Sequence, residues 1–360
     1  MAPALPRALH PVAWWVWAIG LAVAASLTAN PILLALILAV VTLVVTNRRT
    51  GSPWAKAFRL YVILGAFVVL SRLVLHLLVG LKVGEHRLFW LPSVTLPSWA
   101  AGINVGGTVY LEGLLAAGLQ GLRLATMIVC IGAANALANP KRLLRALPGS
   151  LQEIGTAVIV SVTVAPQLAE SVQRVLRARQ LRGQNAGGLR SVRQVALPVL
   201  QDTLDRSLSL AAAMDSRGYG RRVTESSQER RWGSAAPYAS FAGLIGASIG
   251  LFGLLSADTP PVLGAPLLGL GLVLAVVGLR LGGRGVHRTT YRPDPWSWPE
   301  TLTAATGLAA VVGSIVASHL DPQSMSMPVL PLGWPGLPWV AAAGILLAAL
   351  PGYLTPEPPR

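Results

Sequence analysis

Apolar runs long enough to cross a bilayer, separated by short basic loops, constrain this chain more than any motif in it. About 20 apolar residues wound as a helix match a hydrocarbon core of ~30 Å. In that medium each backbone donor and acceptor must be satisfied within the segment, which a helix does. Eight such runs can be drawn: Val12 to Ala29, Pro31 to about Thr46, Phe58 to Val79, Leu111 to Ala136, Ala239 to Leu255, Val262 to Leu281, Leu302 to Leu320 and Val340 to Leu354. Only 12% of the residues are charged, against about a quarter in a globular domain. The expected fold is an all-α integral membrane protein, a helical bundle of about eight spans with two long amphipathic helices outside it.

Orientation follows from where the Lys and Arg residues fall. Arg48, Arg49, Lys56 and Arg59 follow the second run; Lys141, Arg142 and Arg145 follow the fourth; Arg280, Arg284, His287, Arg288 and Arg292 follow the sixth. All three clusters lie on one side of the bundle, which the positive-inside rule makes cytoplasmic. Both termini are then expected inside, in a multi-pass protein of the cell membrane. Lys82 and Arg87 are the exception, diluted by Glu85, in a connection at 81–108 whose Trp90 and Trp99 suit headgroup level. Arg7 and the small residues Ala24-Ala25-Ser26 give the first run a signal-like look. The next run starts directly after Asn30-Pro31, so the two read as a transmembrane hairpin. The net charge of +15 is thus that of a membrane protein facing anionic lipid, and nucleic acid is not an expected partner.

The pattern changes between the fourth and fifth runs, dividing the chain into 1–140, 141–235 and 236–360. Ile154 to Val164 is apolar but too short to span alone, so it reads as the upper part of a longer helix. Beyond Pro166, residues Val172, Val175, Leu176 and Leu181 return at helical spacing. Gly183, Gly187 and Gly188 break the chain. A second amphipathic helix is expected to begin near Pro198, with Leu200, Leu204, Leu208 and Ala211 along one face. Each of these helices ends in the same pair, Arg182-Gly183 and, 35 positions later, Arg217-Gly218. A single Arg-Gly at a helix end is ordinary, since glycine takes the left-handed position and arginine suits the negative terminus. Two copies in one segment suggest two presented guanidinium groups, each able to grip a carboxylate.

Catalytic signatures are absent. There is no GxxxxGK[ST] loop for ATP, and five scattered histidines form no metal-ligand pattern, so neither cofactor nor metal is expected. One GxSxG match, Gly246 to Gly250, falls within an apolar run, where small residues serve helix contacts. Cys130, the single cysteine, cannot form an intrachain disulfide. Four polar residues lie at membrane depth: Arg72 and His76, one helical turn apart, and Glu112 and Arg123 in the fourth run. Arg72 and His76 read as an intra-bundle group, with Glu112 as a candidate partner. Glu112 also suits the first turn of its helix.

Ala213-Met214-Asp215-Ser216-Arg217-Gly218-Tyr219-Gly220 resembles the second signature of the transmembrane T component of energy-coupling factor transporters, a family that includes the cobalt-transporter permeases. Ala178 to Gly183 is similar to the first. Asn30-Pro31, Leu111-Glu112-Gly113-Leu114, Gly121-Leu122-Arg123-Leu124, Asn139-Pro140 and Leu143 to Pro148 extend the resemblance over about residues 12–222, and Arg288 to Arg292 with Trp296 is also similar. The resemblance implies a non-catalytic scaffold that docks two ABC-type ATPases through the tips Leu181-Arg182-Gly183 and Ser216-Arg217-Gly218. It also implies a small membrane-embedded substrate-binding S component as partner, and a vitamin or transition-metal ion as cargo. Leucine and serine stand where the family's tips commonly have alanine, and shorter members lack a hairpin like that at about 239–281. The alternative reading is a self-contained secondary transporter or membrane-embedded enzyme acting on an anionic or lipid substrate.

Overall fold

The computed structural model describes residues 7–50, 57–79, 84–95, 104–146, 151–183, 189–218, 227–255, 261–282 and 294–356. Helices dominate, and seven of those described are long and apolar enough to cross a membrane. This is an all-α membrane protein. By packing, the chain falls into two compact units, residues 1–143 with 292–360, and residues 144–291.

The first unit begins with α1 (Pro11–Ser26) and α2 (Pro31–Arg48). Asn30 makes the corner between them. Its Oδ1 caps α2 by accepting the Ile32 amide at 2.9 Å, and its Nδ2 donates to the Ser324 and Gly336 carbonyls at 2.7 and 2.6 Å. Fully buried, it meets a polar need at both ends of its amide, so Asn30-Pro31 is a joint as well as a helix start. α3 (Phe58–Val79) packs mainly on α4 (Leu111–Leu137), and among its residues with described burial only Gly65 is buried. α5 (Pro140–Arg145) follows, capped by the Asn139 side chain.

After the second unit the chain returns as α10 (Trp298–Leu320), then α11 (Trp339–Leu347) and α12 (Pro351–Leu354). α1 packs against α10 and α4, and α11 packs on α10 and α2. Trp17 lies at the centre, fully buried, with its indole N–H donating to the Ala348 carbonyl at 3.0 Å. The contact of α1 with α10 is close because Gly20 faces Gly307, where an added Cβ would overlap backbone. Such approach between small residues, rather than hydrophobic expulsion from water, associates helices in lipid. Leu33, Leu34, Ile37, Val41, Cys130 and Ile345 fill the same core.

In the second unit, α6 (Gln152–Leu181) and α7 (Leu189–Ser216) are followed by α8 (Ser227–Leu255) and α9 (Pro261–Gly282). α8 and α9 take nearly all their packing from each other. Gly243, Gly250 and Gly271 sit where any Cβ would strike the facing backbone. Ser248, centre of the GxSxG match, donates its hydroxyl to the Leu244 carbonyl at 2.9 Å within α8, as a helix-contact residue does.

Ile154 to Val164 is, as expected, the upper part of a longer helix: α6 runs through Pro166, and its stretch Gly155–Leu181 is long and apolar enough to span. Three expectations from sequence need redrawing. The first and last runs are shorter apolar helices, the last broken before Pro351, which cannot continue the α11 hydrogen-bond ladder. α7 starts nine residues before Pro198, so that proline lies inside the helix, because residues 189–197 are themselves good helix formers. The connection after α3 contains an antiparallel pair, β1 (Arg87–Thr95) with β2 (Asn104–Tyr110). Trp99 and Arg288 to Arg292 lie outside the described residues.

Candidate functional site

α6 and α7 form an antiparallel pair. Ser171 donates to Asp202 Oδ2 at 2.7 Å, and Arg179 donates to Gln194 Oε1 at 2.7 Å. The two bridges share one sequence midpoint, which defines the register. Asp202 is the junction of the crossing, also receiving Arg174 at 3.4 Å and Arg206 at 3.1 Å. The Ser171 hydroxyl first, and Arg206 next, hold its carboxyl below the ordinary carboxylate range. A carboxyl depressed in the folded state stabilises at neutral pH, and that contribution is lost as pH falls through its lowered value. The groups are largely exposed, so the bridges set register more than they add stability.

Both Arg-Gly pairs have the same local geometry. At the end of α6 the Arg182 and Gly183 amides donate to the Arg179 and Gln180 carbonyls, each at 3.0 Å. At the end of α7 the Arg217 and Gly218 amides donate to Met214 and Asp215 at 3.2 and 2.8 Å. Gly183 has φ +71° and Gly218 φ +73°, the left-handed conformation that glycine adopts without cost. Arg182, Arg217 and Ser216 are exposed, and Leu181 is 90% exposed. The helix ends are therefore two like turns, each presenting an arginine to solvent.

Register places these turns at opposite ends of the pair. Arg217 lies level with residue 156 of α6, and roughly 26 residues at 1.5 Å each separate that level from Arg182, or about 39 Å. α7 also carries Leu197, Leu200, Leu204 and Leu208 in a stripe at helical spacing, each 61–64% exposed. This amphipathic face is real but is not covered by α6.

The intramembrane polar residues are elsewhere, in the first unit. Arg72, His76 and Glu112 line a single cavity between α3 and α4, but Arg72 and Glu112 each take another partner. Arg72 donates to the Gln120 side chain. Glu112 Oε1 accepts from the His86 amide at 2.9 Å and meets His86 Nδ1 at 2.6 Å, so it anchors the entry of β1. His86 is distant in sequence and follows no periodicity, so no sequence signal gave this partner. Arg123, half-buried on α4, is outside that cavity. Among the described residues no group of three or more His, Cys, Asp or Glu side chains could hold a metal ion.

Sequence reasoning also missed a buried knot at the start of α10. Glu300, fully buried, accepts from Arg7 at 2.5 Å, from the Ser297 hydroxyl and amide at 2.7 and 3.1 Å, and from the His10 amide at 3.3 Å. Ser297 and Glu300 form a capping box, readable as Ser-x-x-Glu, although the partner at Arg7 was not.

Against this geometry, the cobalt transport protein family, CbiQ, matches residues 4–228. The chain belongs to this family. The match covers both Arg-Gly turns, Asn30 and the α3 and α4 walls of the cavity, and extends slightly beyond the stretch expected from the signatures. CbiQ is the T-component family of energy-coupling factor transporters, so this chain is a membrane protein of a cobalt-transport family. α8 from Glu229, α9 and the return through α10 to α12 lie outside the matched CbiQ region. A search of curated proteins finds no match.

Proposed function

We propose that the chain is the non-catalytic coupling subunit of an energy-coupling factor importer, transmitting ATP-driven motion to a membrane-embedded substrate-binding subunit. One observation carries this reading: two Arg-Gly turns of matching geometry stand exposed at opposite ends of one antiparallel helix pair. Two like turns about 39 Å apart suit a partner that repeats one acidic socket twice, as a pair of ABC-type ATPases does. Each guanidinium enters one socket, with Leu181 or Ser216 beside it. The leucine stripe on α7 offers the substrate-binding subunit a sliding apolar contact. The cargo is a transition-metal ion or vitamin taken up across the cell membrane. Copurification is the direct test: the reading requires two ATPase chains with each copy of this chain, and transport by this chain alone would overturn it.

The reading needs residues 141–235 on the ATPase side, with both termini there too. Cysteines placed near Arg49 or Arg284 are expected to be protected from an impermeant thiol reagent in intact cells, and cysteines near Thr95 or Gln323 to label. Labelling at 284 from outside would reverse the second helix hairpin.

α8 and α9 pack on each other, which supports a peripheral role. Deleting residues 239–281 and joining the ends with a short polar loop is expected to leave ATPase copurification intact. Complete loss from a correctly inserted deletion would assign the hairpin to the coupling machinery.

A further inference from the structure

The cavity between α3 and α4 has a volume of about 560 Å³ and plays no part in the coupling scheme. Arg72 stands seven residues before the end of α3, about 10 Å along the axis, so its guanidinium reaches the level where hydrocarbon gives way to headgroups. The side chain is exposed in the protein alone, and the partner described for it, Gln120, is neutral. A guanidinium has five donors, and a charge at this depth is costly without a counter-ion. Glu112 lies eight residues before Gln120, about 12 Å along α4, and its Oε1 is committed to His86. Its other oxygen, Oε2, is buried beside Gly84 and has no hydrogen-bond partner among the described residues. His76 lines the cavity one turn beyond Arg72 toward the end of α3, and Ala116 and Leu330 supply apolar wall.

We propose that this cavity binds the headgroup of a phospholipid that carries a primary amine. The phosphate takes the free edge of the Arg72 guanidinium, the geometry that arginine offers to phosphate. The amine extends past His76 toward the Glu112 end, where the second carboxylate oxygen is the acceptor. This order, phosphate deep and amine shallow, is the order of a headgroup in a leaflet, with the acyl chains running down the exposed apolar face of α3. An anionic headgroup without an amine meets Glu112 as a like charge, and a quaternary amine has no N–H to donate.

The test uses the full-length chain, delipidated in detergent, with bound lipid read by native mass spectrometry. The probes are phosphatidylethanolamine, phosphatidylglycerol, phosphatidylcholine and water-soluble glycerophosphoethanolamine. Phosphatidylethanolamine is expected to be retained at least tenfold better than the other two lipids, and Arg72→Gln to abolish that retention. Thermal unfolding is followed in parallel, and Arg72→Lys, which keeps the charge without the fork, is expected to fold and to lose at least threefold in retention. Equal retention of the three lipids, or retention unchanged by both substitutions, overturns the proposal. Competition by glycerophosphoethanolamine at the same concentration as the lipid would make the ligand a soluble phosphoester and overturn the lipid assignment.

Discussion

Replacing Arg182 and Arg217 together with alanine is expected to abolish both ATPase association and transport while the membrane bundle stays folded. Both side chains are exposed at helix ends, so truncation removes no packing. In the proposed complex each guanidinium is desolvated against a carboxylate, and removing it strands a buried acid at a cost of about 3–5 kcal/mol. At about 1.4 kcal/mol per decade, each tip then loses at least a hundredfold in affinity. A single substitution leaves the other tip tethered, and only the double change also removes the avidity. Lysine at either position should rescue in part, having the charge without the planar fork. The measurement is copurification of the ATPases with the chain from membranes, together with uptake. A double variant that retains stoichiometric ATPases and transports would reduce both arginines to helix caps.

Glu300→Ala is expected to destabilise the first unit by about 2–3 kcal/mol, since it removes the acceptor from the half-buried Arg7 guanidinium and from three further donors. The knot ties residues 7–10 to the start of α10, and Arg142 reinforces it by donating to Asp294 at 2.9 Å and to the Ala8 carbonyl at 3.2 Å. Glu300→Gln should lose less, because the amide oxygen still accepts. Unfolding in mixed detergent micelles measures both, and an alanine variant within about 1 kcal/mol of the parent would show that this figure overstates the knot.

How far the residues alone led depends on the range of the interaction. Apolar runs, loop charges and the paired Arg-Gly signatures are local, and they were enough for a helical membrane protein of the T-component family. A span is determined by its own composition, because in lipid each helix must satisfy its backbone internally. The left-handed glycines at 183 and 218 follow likewise from the chain's immediate neighbourhood. What only tertiary structure decided are the pairings between distant segments. Arg7 meets Glu300 across 293 positions, Asn30 holds the 324–336 turn, and Glu112 chooses His86 over Arg72 although Arg72, His76 and Glu112 share one cavity. The antiparallel register of α6 and α7, and with it the placing of the two turns at opposite ends, rests on Ser171 meeting Asp202. Such choices turn on which helix faces come together and on the geometry of single hydrogen bonds. No periodicity encodes them, because many partners of equal chemistry exist along the chain and packing selects one.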